Sequence, residues 1–297
     1  MDHKVFLQSL SADEKVALTE KSNRKGLAHL AAYAALTIGC AIWVWRLAPF
    51  WPVAFVVLAI LLSFTFTLQH ECTHDTPFQT RWLNSAVGFL TGVILFQPFL
   101  WFRYFHLAHH RHTNDPGHDP ELDGDGKPET WRDFIWHLST VPYWSAKVSV
   151  LWQNAFSQEF AHYIPTAARP KIQREARFML MIYTAAAVAL WFEPKVIIIW
   201  LLPLAAGFPF LRLYLLAEHG RCAFIANMFE NTRTTFTNRV IRFIAWNMPY
   251  HTEHHVFPNV PFHSLPALHR LMAQHLQVTS NGYTDFTRAY VSGFKSR

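Results

Sequence analysis

The chain has 297 residues, of which 51% are hydrophobic and 16% aromatic, while only 15% are charged. This composition is too apolar for the surface of an ordinary soluble protein, and it favours a protein that lies largely in a membrane. The formal net charge is +6, and the three cysteines show no paired spacing that would indicate a disulfide framework.

The N-terminal residues 1–26 are expected to form a cytoplasmic amphipathic helix. Ser11 followed by Glu14 has the spacing of a capping box, which would start that helix. We expect no cleavable signal peptide before it, so the membrane spans themselves would direct insertion.

Four apolar segments have about the length needed to cross a bilayer as helices. They form two predicted hairpins, and the second hairpin turns at Pro194. The last span contains proline and glycine residues that are expected to bend it. The alternative is a set of buried helices in a soluble protein. The predicted spans are 27–45, 53–69, 178–192 and 196–217.

A fifth apolar stretch, 83–101, lies between His74 and His106. A single crossing would place those two histidines on opposite sides of the membrane, and two crossings would need about 20 residues each. We therefore expect a re-entrant or interfacial segment whose irregular backbone is shielded by protein.

The distribution of basic residues predicts the orientation. Of the 26 Lys and Arg residues, only Arg46 and Lys195 fall in the two hairpin turns, so the opposite side is expected to be cytoplasmic. Both termini would lie there. The acidic, glycine-containing segment 113–130, with Asp123-Gly124-Asp125-Gly126, is interpreted as a solvated loop because it lacks the rest of a calcium-binding loop.

Taken in chain order, these elements predict an all-α integral membrane protein with about four transmembrane helices and a cytoplasmic helical cap. We expect one domain, 1–297, because no long linker or internal repeat divides it. Its parts would be the N-terminal segment 1–26, the spans with the first histidine clusters over 27–217, and the cap over 218–297.

Eight of the 18 histidines fall into three clusters with helical spacing, which places the rings of each cluster on one helix face. Neutral imidazole binds Zn, Cu, Fe or Ni, so the ligand type leaves the metal open. One zinc ion takes about three or four protein ligands, so eight candidates indicate two ions. His112 lies off the ligand face, and the isolated histidines are expected to be surface or packing residues. The clusters are His70-x3-His74, His106-x2-His109-His110 and His251-x2-His254-His255.

The three clusters resemble the three histidine boxes of the membrane fatty-acid desaturase and hydroxylase superfamily. The order of the four spans is similar too, and segment 259–266 resembles the end of the third box in acyl-lipid desaturases. The resemblance implies a non-haem di-iron enzyme that uses O2 and two electrons to cleave an unactivated C–H bond. It also implies His219, after the fourth span, as a ninth ligand. No catalytic residue beyond the metal ligands is assigned.

Two features of the sequence bear on which reaction of the superfamily the chain would catalyse. Acyl-CoA desaturases have an asparagine where this chain has Leu215, whereas Glu218-His219-Gly220 looks more like membrane alkane hydroxylases. The favoured function is desaturation of a fatty acyl or other lipid substrate. The alternative within the superfamily is a hydroxylase, monooxygenase or ketolase acting on another lipid-like substrate.

Polar residues beside the clusters are candidates to orient the imidazole ligands. A carboxylate that accepts the second ring N–H fixes the tautomer and the ring orientation. An exposed acidic residue that only solvates a helix is the alternative for each. The candidates are Glu71, Asp75, Asp115, Glu218, Asn247 and Glu253.

Two functions from other classes compete with these. Residues 70–74 match H-E-x-x-H, in which Glu71 would serve a zinc metalloprotease as general base, but this leaves two histidine clusters without a role. A non-enzymatic membrane transporter is the second alternative, although the spans contain few ionisable residues.

The expected partners are membrane lipids, a lipid-like or acyl substrate and a separate electron donor, with no nucleic acid. The sequence has no flavin or nicotinamide glycine fingerprint, so a ferredoxin, rubredoxin or cytochrome would deliver the electrons. A net charge of +6 would attract an acidic donor, but it is equally explained by membrane orientation and anionic headgroups.

Overall fold

The computed structural model describes residues 2–123 and 126–294, and its regular secondary structure is almost entirely helical. Short 3-10 turns cover Pro120–Leu122, Thr166–Ala168 and Ala273–His275. Two short parallel strands, β1 (Thr234–Thr235) and β2 (Thr279–Ser280), pair Thr234 with Thr279. The helices are α1 (His3–Ser9), α2 (Ala12–Thr19), α3 (Asn23–Trp45), α4 (Trp51–Thr73), α5 (Arg81–Leu95), α6 (Phe99–His112), α7 (Trp131–Leu138), α8 (Val141–Phe156), α9 (Arg169–Phe192), α10 (Val196–Ile199), α11 (Leu201–His219), α12 (Met228–Asn231), α13 (Arg239–Ile244), α14 (His251–Val256), α15 (Leu265–Met272) and α16 (Tyr283–Ser292).

Four helical segments are long and apolar enough to cross a membrane, which confirms the predicted all-α membrane fold. They comprise α3, α4, α9 and the pair α10–α11. The most apolar stretch of α4 is 61% buried within the protein, whereas those of α3 and α9 are 11% buried. Helix α4 is therefore the centre of the bundle, and α3 and α9 leave most of their surface for lipid.

The two predicted hairpin turns lie at the same end of the molecule. Lys195 in the second turn places Nζ 5.8 Å from the ring centroid of Trp45 at the end of α3. The last span is interrupted at Trp200, slightly earlier than its proline and glycine residues suggested. Pro203 has no N–H to donate to the carbonyl of Ile199, so the helix cannot continue unbroken there. Pro209 lies inside α11.

Helices α5 and α6 form a pair bent by 100°, in the region predicted to be re-entrant or interfacial. Phe96 at the end of α5 has φ +57°, and Pro98 caps the start of α6. Gln69 on α4 donates from Nε2 to the carbonyl of Gln97 in the bend, at 3.0 Å. The bend returns the chain to the histidine end of α4, as the placement of the clusters required.

The N-terminal segment departs from the single amphipathic helix that the sequence predicted. It forms two short helices, α1 and α2, which are separated at Leu10 and Ser11. The capping box is confirmed, because Glu14 N–H donates to Ser11 Oγ at 3.2 Å and Ser11 N–H donates to Glu14 Oε2 at 2.8 Å. Phe6 and Leu10 are buried against the cap, so the segment packs on protein.

Helices α4 and α11 approach so closely that their contact admits only a glycine. A Cβ atom at Gly207 would lie 2.0 Å from the carbonyl oxygen of Ala59. This contact fixes the relative position of the two spans that end in His70 and His219. The histidines at the ends of these spans are thereby held at one level.

Candidate metal centre

Four helices bring all nine predicted ligands to one end of the bundle. Helix α4 ends with the first cluster, α6 ends with the second, α11 ends with His219, and α14 in the cap carries the third. The i, i+3 and i, i+4 spacings turn the rings of each helix toward a common centre. All of these side chains are buried or half-buried, which is unusual for a cluster of polar groups.

Five of the imidazoles form one group whose candidate ligand atoms all lie within 4.8 Å of one another. His254 is central to it, because its Nε2 is 2.7 Å from Nε2 of His70 and 3.1 Å from Nε2 of His110. The Nε2 atoms of His74 and His106 are 2.9 Å apart. This first group is His70, His74, His106, His110 and His254.

A second group adjoins the first and contains His109, His219 and His255. His219 Nε2 lies 3.2 Å from His109 Nε2 and 3.1 Å from His251 Nε2, so His251 borders the same group. The rings of His110 and His255 stack at 4.0 Å between centroids, which joins the two groups. The nine imidazoles thus divide into two adjoining sets, of five and four.

The distances between these nitrogens are better explained by atoms that bind the same metal ion than by hydrogen bonds between the rings. Each Nε2 has either one proton or one lone pair, so His254 Nε2 cannot hydrogen-bond to both His70 and His110, and His219 faces two such atoms likewise. Two nitrogens that bind one ion at about 2.0–2.1 Å each lie roughly 3 Å apart. The observed spacings therefore fit imidazoles that could share a bound metal ion within each group.

Electrostatics also favours metal binding in the cap. Burial, followed by the neighbouring imidazoles, lowers the pKa of His251, His254 and His255 well below the usual value. These side chains are therefore neutral near pH 7, which is the form that ligates a metal. Nε2 of His255 is buried without any hydrogen-bond partner, an expensive arrangement for a group that does not bind an ion.

A family comparison agrees with this geometry. The model of a family described as fatty acid desaturase matches residues 47–287. The chain belongs to the fatty acid desaturase family.

Among curated desaturase relatives, the sn-1 oleoyl-lipid 12-desaturase of Anabaena variabilis is 24% identical over 279 residues, covering 86% of this chain and 65% of the relative. The sphingolipid delta(4)-desaturase DES1 of Bos taurus is 26% identical over 243 residues, covering 78% and 68% respectively. A delta(9) fatty acid conjugase-like enzyme of Dimorphotheca sinuata is 35% identical over 89 residues, covering 29% and 24%. This desaturase-family chain thus spans just under two thirds of the first relative's length.

Two of the predicted orienting carboxylates face box histidines. Glu218 Oε1 lies 3.3 Å from Nδ1 of His251. Glu71 Oε1 lies 3.9 Å from Nδ1 of His254, while its Oε2 accepts hydrogen bonds from the hydroxyl of Thr76 and from a backbone N–H. Neither carboxylate hydrogen-bonds to its histidine, and both Nδ1 atoms are buried without a partner; Glu218 is the nearer of the two.

The other four candidates have different partners. The guanidinium of Arg103 donates to Asp75. Asp115 is exposed and lies 3.0 Å from Nδ1 of His118. Asn247 donates to the carbonyl of Phe262 at 2.9 Å. Glu253 accepts from Thr234 and lies 2.5 Å from Nδ1 of His269, which ties α14 to β1 and α15.

Three contacts of the second histidine group were not predicted from the sequence. Asp119, which is 1% exposed, lies 2.9 Å from Nδ1 of His109. The hydroxyl of Thr113 lies 3.1 Å from Nδ1 of His255, and the carbonyl of Asn231 lies 3.1 Å from Nδ1 of His219.

The sequence carried little signal for these contacts, because they depend on how the 113–130 segment and the cap fold around the histidine helices. The sequence predicts a solvated loop for the 113–130 segment. Part of it is buried, while Asp123 and Gly126 are exposed. Gly124 and Asp125 lie outside the described residues.

Proposed function

We propose that this protein is an oxygen-dependent lipid desaturase whose nine histidines hold two iron ions. The observation that supports the proposal is the pair of adjoining imidazole groups within a chain of the fatty acid desaturase family. The iron pair, when bound, would supply activation of O2 for cleavage of an unactivated C–H bond. His70, His74, His106, His110 and His254 would hold one ion, and His109, His219, His251 and His255 the other.

The surrounding residues would keep the ligands oriented and the site dry. Asp119 accepts from His109, and the carbonyl of Asn231 accepts from His219, so each ring presents Nε2 to the metal. Aromatic side chains pack beneath the first group, with Phe102 5.6 Å from His106 and Phe66 6.3 Å from His70 between ring centroids. These rings exclude water on the membrane side, which protects a reactive centre from side reactions.

A long acyl chain is the proposed substrate. The relatives named for oleoyl-lipid and sphingolipid desaturation align over most of this chain, and the third box resembles those of acyl-lipid desaturases through Pro266. Hydroxylation or ketolation of another lipid-like molecule is the second candidate. It is favoured by Glu218-His219-Gly220, whose glutamate lies beside His251.

The geometry around Glu71 argues against a zinc metalloprotease. A general base must reach the water that attacks the substrate. Glu71 is fully buried, and Oε2 accepts from Thr76 at 2.8 Å and from the N–H of Phe262 at 3.3 Å. It is therefore engaged in packing the third box against α4. A transporter has no need for nine converging imidazoles.

Desaturation and hydroxylation predict different products from one experiment. The protein would be expressed with a suitable electron-transfer chain under ¹⁸O2, and lipids and metabolites would be analysed by mass spectrometry. We expect an oxygen-dependent product two hydrogens lighter than the substrate and free of label. Incorporated ¹⁸O would instead support a monooxygenase, and turnover that persists without oxygen would contradict both.

Electrons would come from a separate ferredoxin, rubredoxin or cytochrome. No segment of the sequence carries a nucleotide-binding glycine fingerprint, and the net charge of +6 suits an acidic carrier. The carrier would approach the end of the bundle that holds the histidines.

The metal centre and both termini are proposed to face the cytoplasm. The two hairpin turns share one end of the bundle, and of the basic residues only Arg46 and Lys195 lie in them. Cysteines introduced after residue 26 and within 113–130 should react with an impermeant reagent only from the cytoplasmic side. Cysteines near Arg46 and Lys195 should react from the opposite side. Reaction of the 113–130 loop from the non-cytoplasmic side would contradict this topology.

A further inference from the structure

Two cationic side chains contact one aromatic ring near the α5–α6 bend. Lys147 on α8 places Nζ 4.8 Å from the ring centroid of Tyr143, and Arg212 on α11 places Cζ 4.8 Å from the same centroid. The side chain of Lys147 is buried, and the residue is only 6% exposed. Arg212 is half-buried, and its Nε is inaccessible. Lysine and arginine are rarely buried in this way without a counter-ion.

The protein partners of both cations are neutral. Lys147 Nζ donates to Oε1 of Gln97 at 2.5 Å, and Arg212 Nη2 lies 3.0 Å from Nδ1 of His137. Across 2–123 and 126–294, no carboxylate lies within 4.0 Å of either cation, and Glu121 acts on Arg212 only from beyond that distance. Burial raises the pKa of Tyr143 to about 12, so its phenol is not the missing anion.

The atoms that remain free in this cluster are hydrogen-bond donors. Nε2 of Gln97 and Nε of Arg212 are buried without a hydrogen-bond partner. The ammonium of Lys147 has three N–H groups and one oxygen acceptor. Burial, and then Arg212, lowers the pKa of Lys147, and an anion bound beside it would oppose that effect. Donors of this kind fit the oxygens of a carboxylate or phosphate.

The cluster is connected to the metal centre by short structural links. The carbonyl of Gln97 accepts from Gln69, which immediately precedes His70. Arg212 lies seven residues before His219 on the same helix, which corresponds to about 10 Å along its axis. An anionic group held by Arg212 would therefore have a fixed separation from the metal ions.

Helices α7 and α8 have the exposed aromatic residues typical of a membrane interface. Trp131 and Trp136 on α7 are 56% and 52% exposed, and Trp152 on α8 is 61% exposed. The charged groups of lipids lie at this level of a bilayer. A lipid anion would thus reach the cluster without leaving the interface.

We propose that Lys147 and Arg212 form a subsite for the anionic group of the substrate, a carboxylate or phosphate. The substrate class is then an anionic acyl lipid, and the distance from its charged group selects the carbon that reacts. Selection of the reacting carbon rests on the proposed function, whereas binding of the anion does not.

The test measures binding of an anionic lipid to the whole 297-residue chain, without an electron donor and therefore without turnover. Protein in phosphatidylcholine nanodiscs would be titrated with hexadecanoate and with its uncharged methyl ester. We expect Lys147→Met and Arg212→Met each to weaken hexadecanoate binding about 10- to 100-fold, the range for a lost hydrogen bond to a charged group, and to leave ester binding unchanged. Lys147→Arg should retain most of the affinity for hexadecanoate. Lys171→Met, which removes an exposed cation and serves as the control, should retain all of it.

If the natural anion is a phosphate, a different set of binding results would support the subsite. Native mass spectrometry would then find phosphatidylglycerol retained by the wild type and lost from both methionine variants, with no preference for hexadecanoate. Metal content checks that each variant is folded, and Lys147→Gln replaces Lys147→Met if the latter does not insert. Equal binding of acid and ester, together with lipid retention independent of both residues, would overturn the proposal.

Measurements of turnover distinguish failure of the subsite proposal from failure of the proposed function. Variants that still desaturate should form products at a broader range of chain positions than the wild type. A protein that binds hexadecanoate through Lys147 but never consumes oxygen would contradict the desaturase proposal alone. Normal desaturation with anion binding insensitive to Lys147 would contradict the subsite alone.

Discussion

Replacement of His254 with alanine is expected to abolish turnover and to release metal while the protein remains inserted in the membrane. His254 is fully buried. Its Nε2 lies 2.7 Å from Nε2 of His70 and 3.1 Å from Nε2 of His110, two other candidate ligands. Loss of a residue that only orients a ligand costs about 10- to 100-fold in metal affinity or activity, and loss of a ligand should cost at least that much. Metal analysis of the purified variant, beside product formation, checks the prediction.

His118→Ala is the matched control, because this histidine is 65% exposed at its side chain and contacts Asp115 at the surface. It should keep two irons and full activity. Two irons and full activity in the His254→Ala variant would refute the ligand assignment. Zinc in place of iron in the wild type would revive the hydrolase interpretation.

The convergence of the histidines could be predicted because it follows from helix periodicity and span order. Each cluster occupies one helix face, and the second and fourth spans and the re-entrant segment bring the first cluster, His219 and the second cluster to the same end. The division into groups of five and four could not be predicted. It separates His109 from His110 and His254 from His255, which are neighbours in sequence, and depends on how α14 in the cap meets α6.

The spans were predictable from apolar length, while their irregular points were less so. The interruption at Trp200 and the separation of α1 from α2 depend on local backbone geometry and on burial of Phe6 and Leu10 against the cap. Lys147 illustrates a further limit. Its sequence context is an ordinary helix with one charge, and only the approach of Gln97 and Arg212 makes that charge unusual.

The choice of orienting carboxylate shows why loop residues are difficult to assign. Asp115 is nearer in sequence to the second histidine box, yet its side chain is 52% exposed and lies beside His118. Asp119, four residues later, is buried because the loop turns back through the 3-10 helix Pro120–Leu122. Sequence distance from a ligand helix does not reveal that reversal.

Asp119→Asn is expected to lower metal affinity about 10- to 100-fold, because the residue supports His109 and has no free oxygen. Oδ1 contacts Nδ1 of His109 at 2.9 Å and the N–H of Glu121 at 2.9 Å, while Oδ2 accepts from the N–H of Asn114 at 2.7 Å. An amide NH2 in place of either oxygen would face a hydrogen-bond donor. Competition with a chelator, followed by metal analysis, measures the affinity.

Asp115→Asn provides a control with the same chemical change in the same loop, and it should bind metal like the wild type. Melting temperatures with metal and after chelation separate the two possible roles of Asp119. If it orients His109, the variant should lose most of the stabilisation that metal adds, since that stabilisation depends on metal affinity. An equal loss of stability with and without metal would mean that Asp119 only holds the loop. An equal loss of metal affinity in Asp115→Asn would contradict the assignment of Asp119 as the supporting carboxylate.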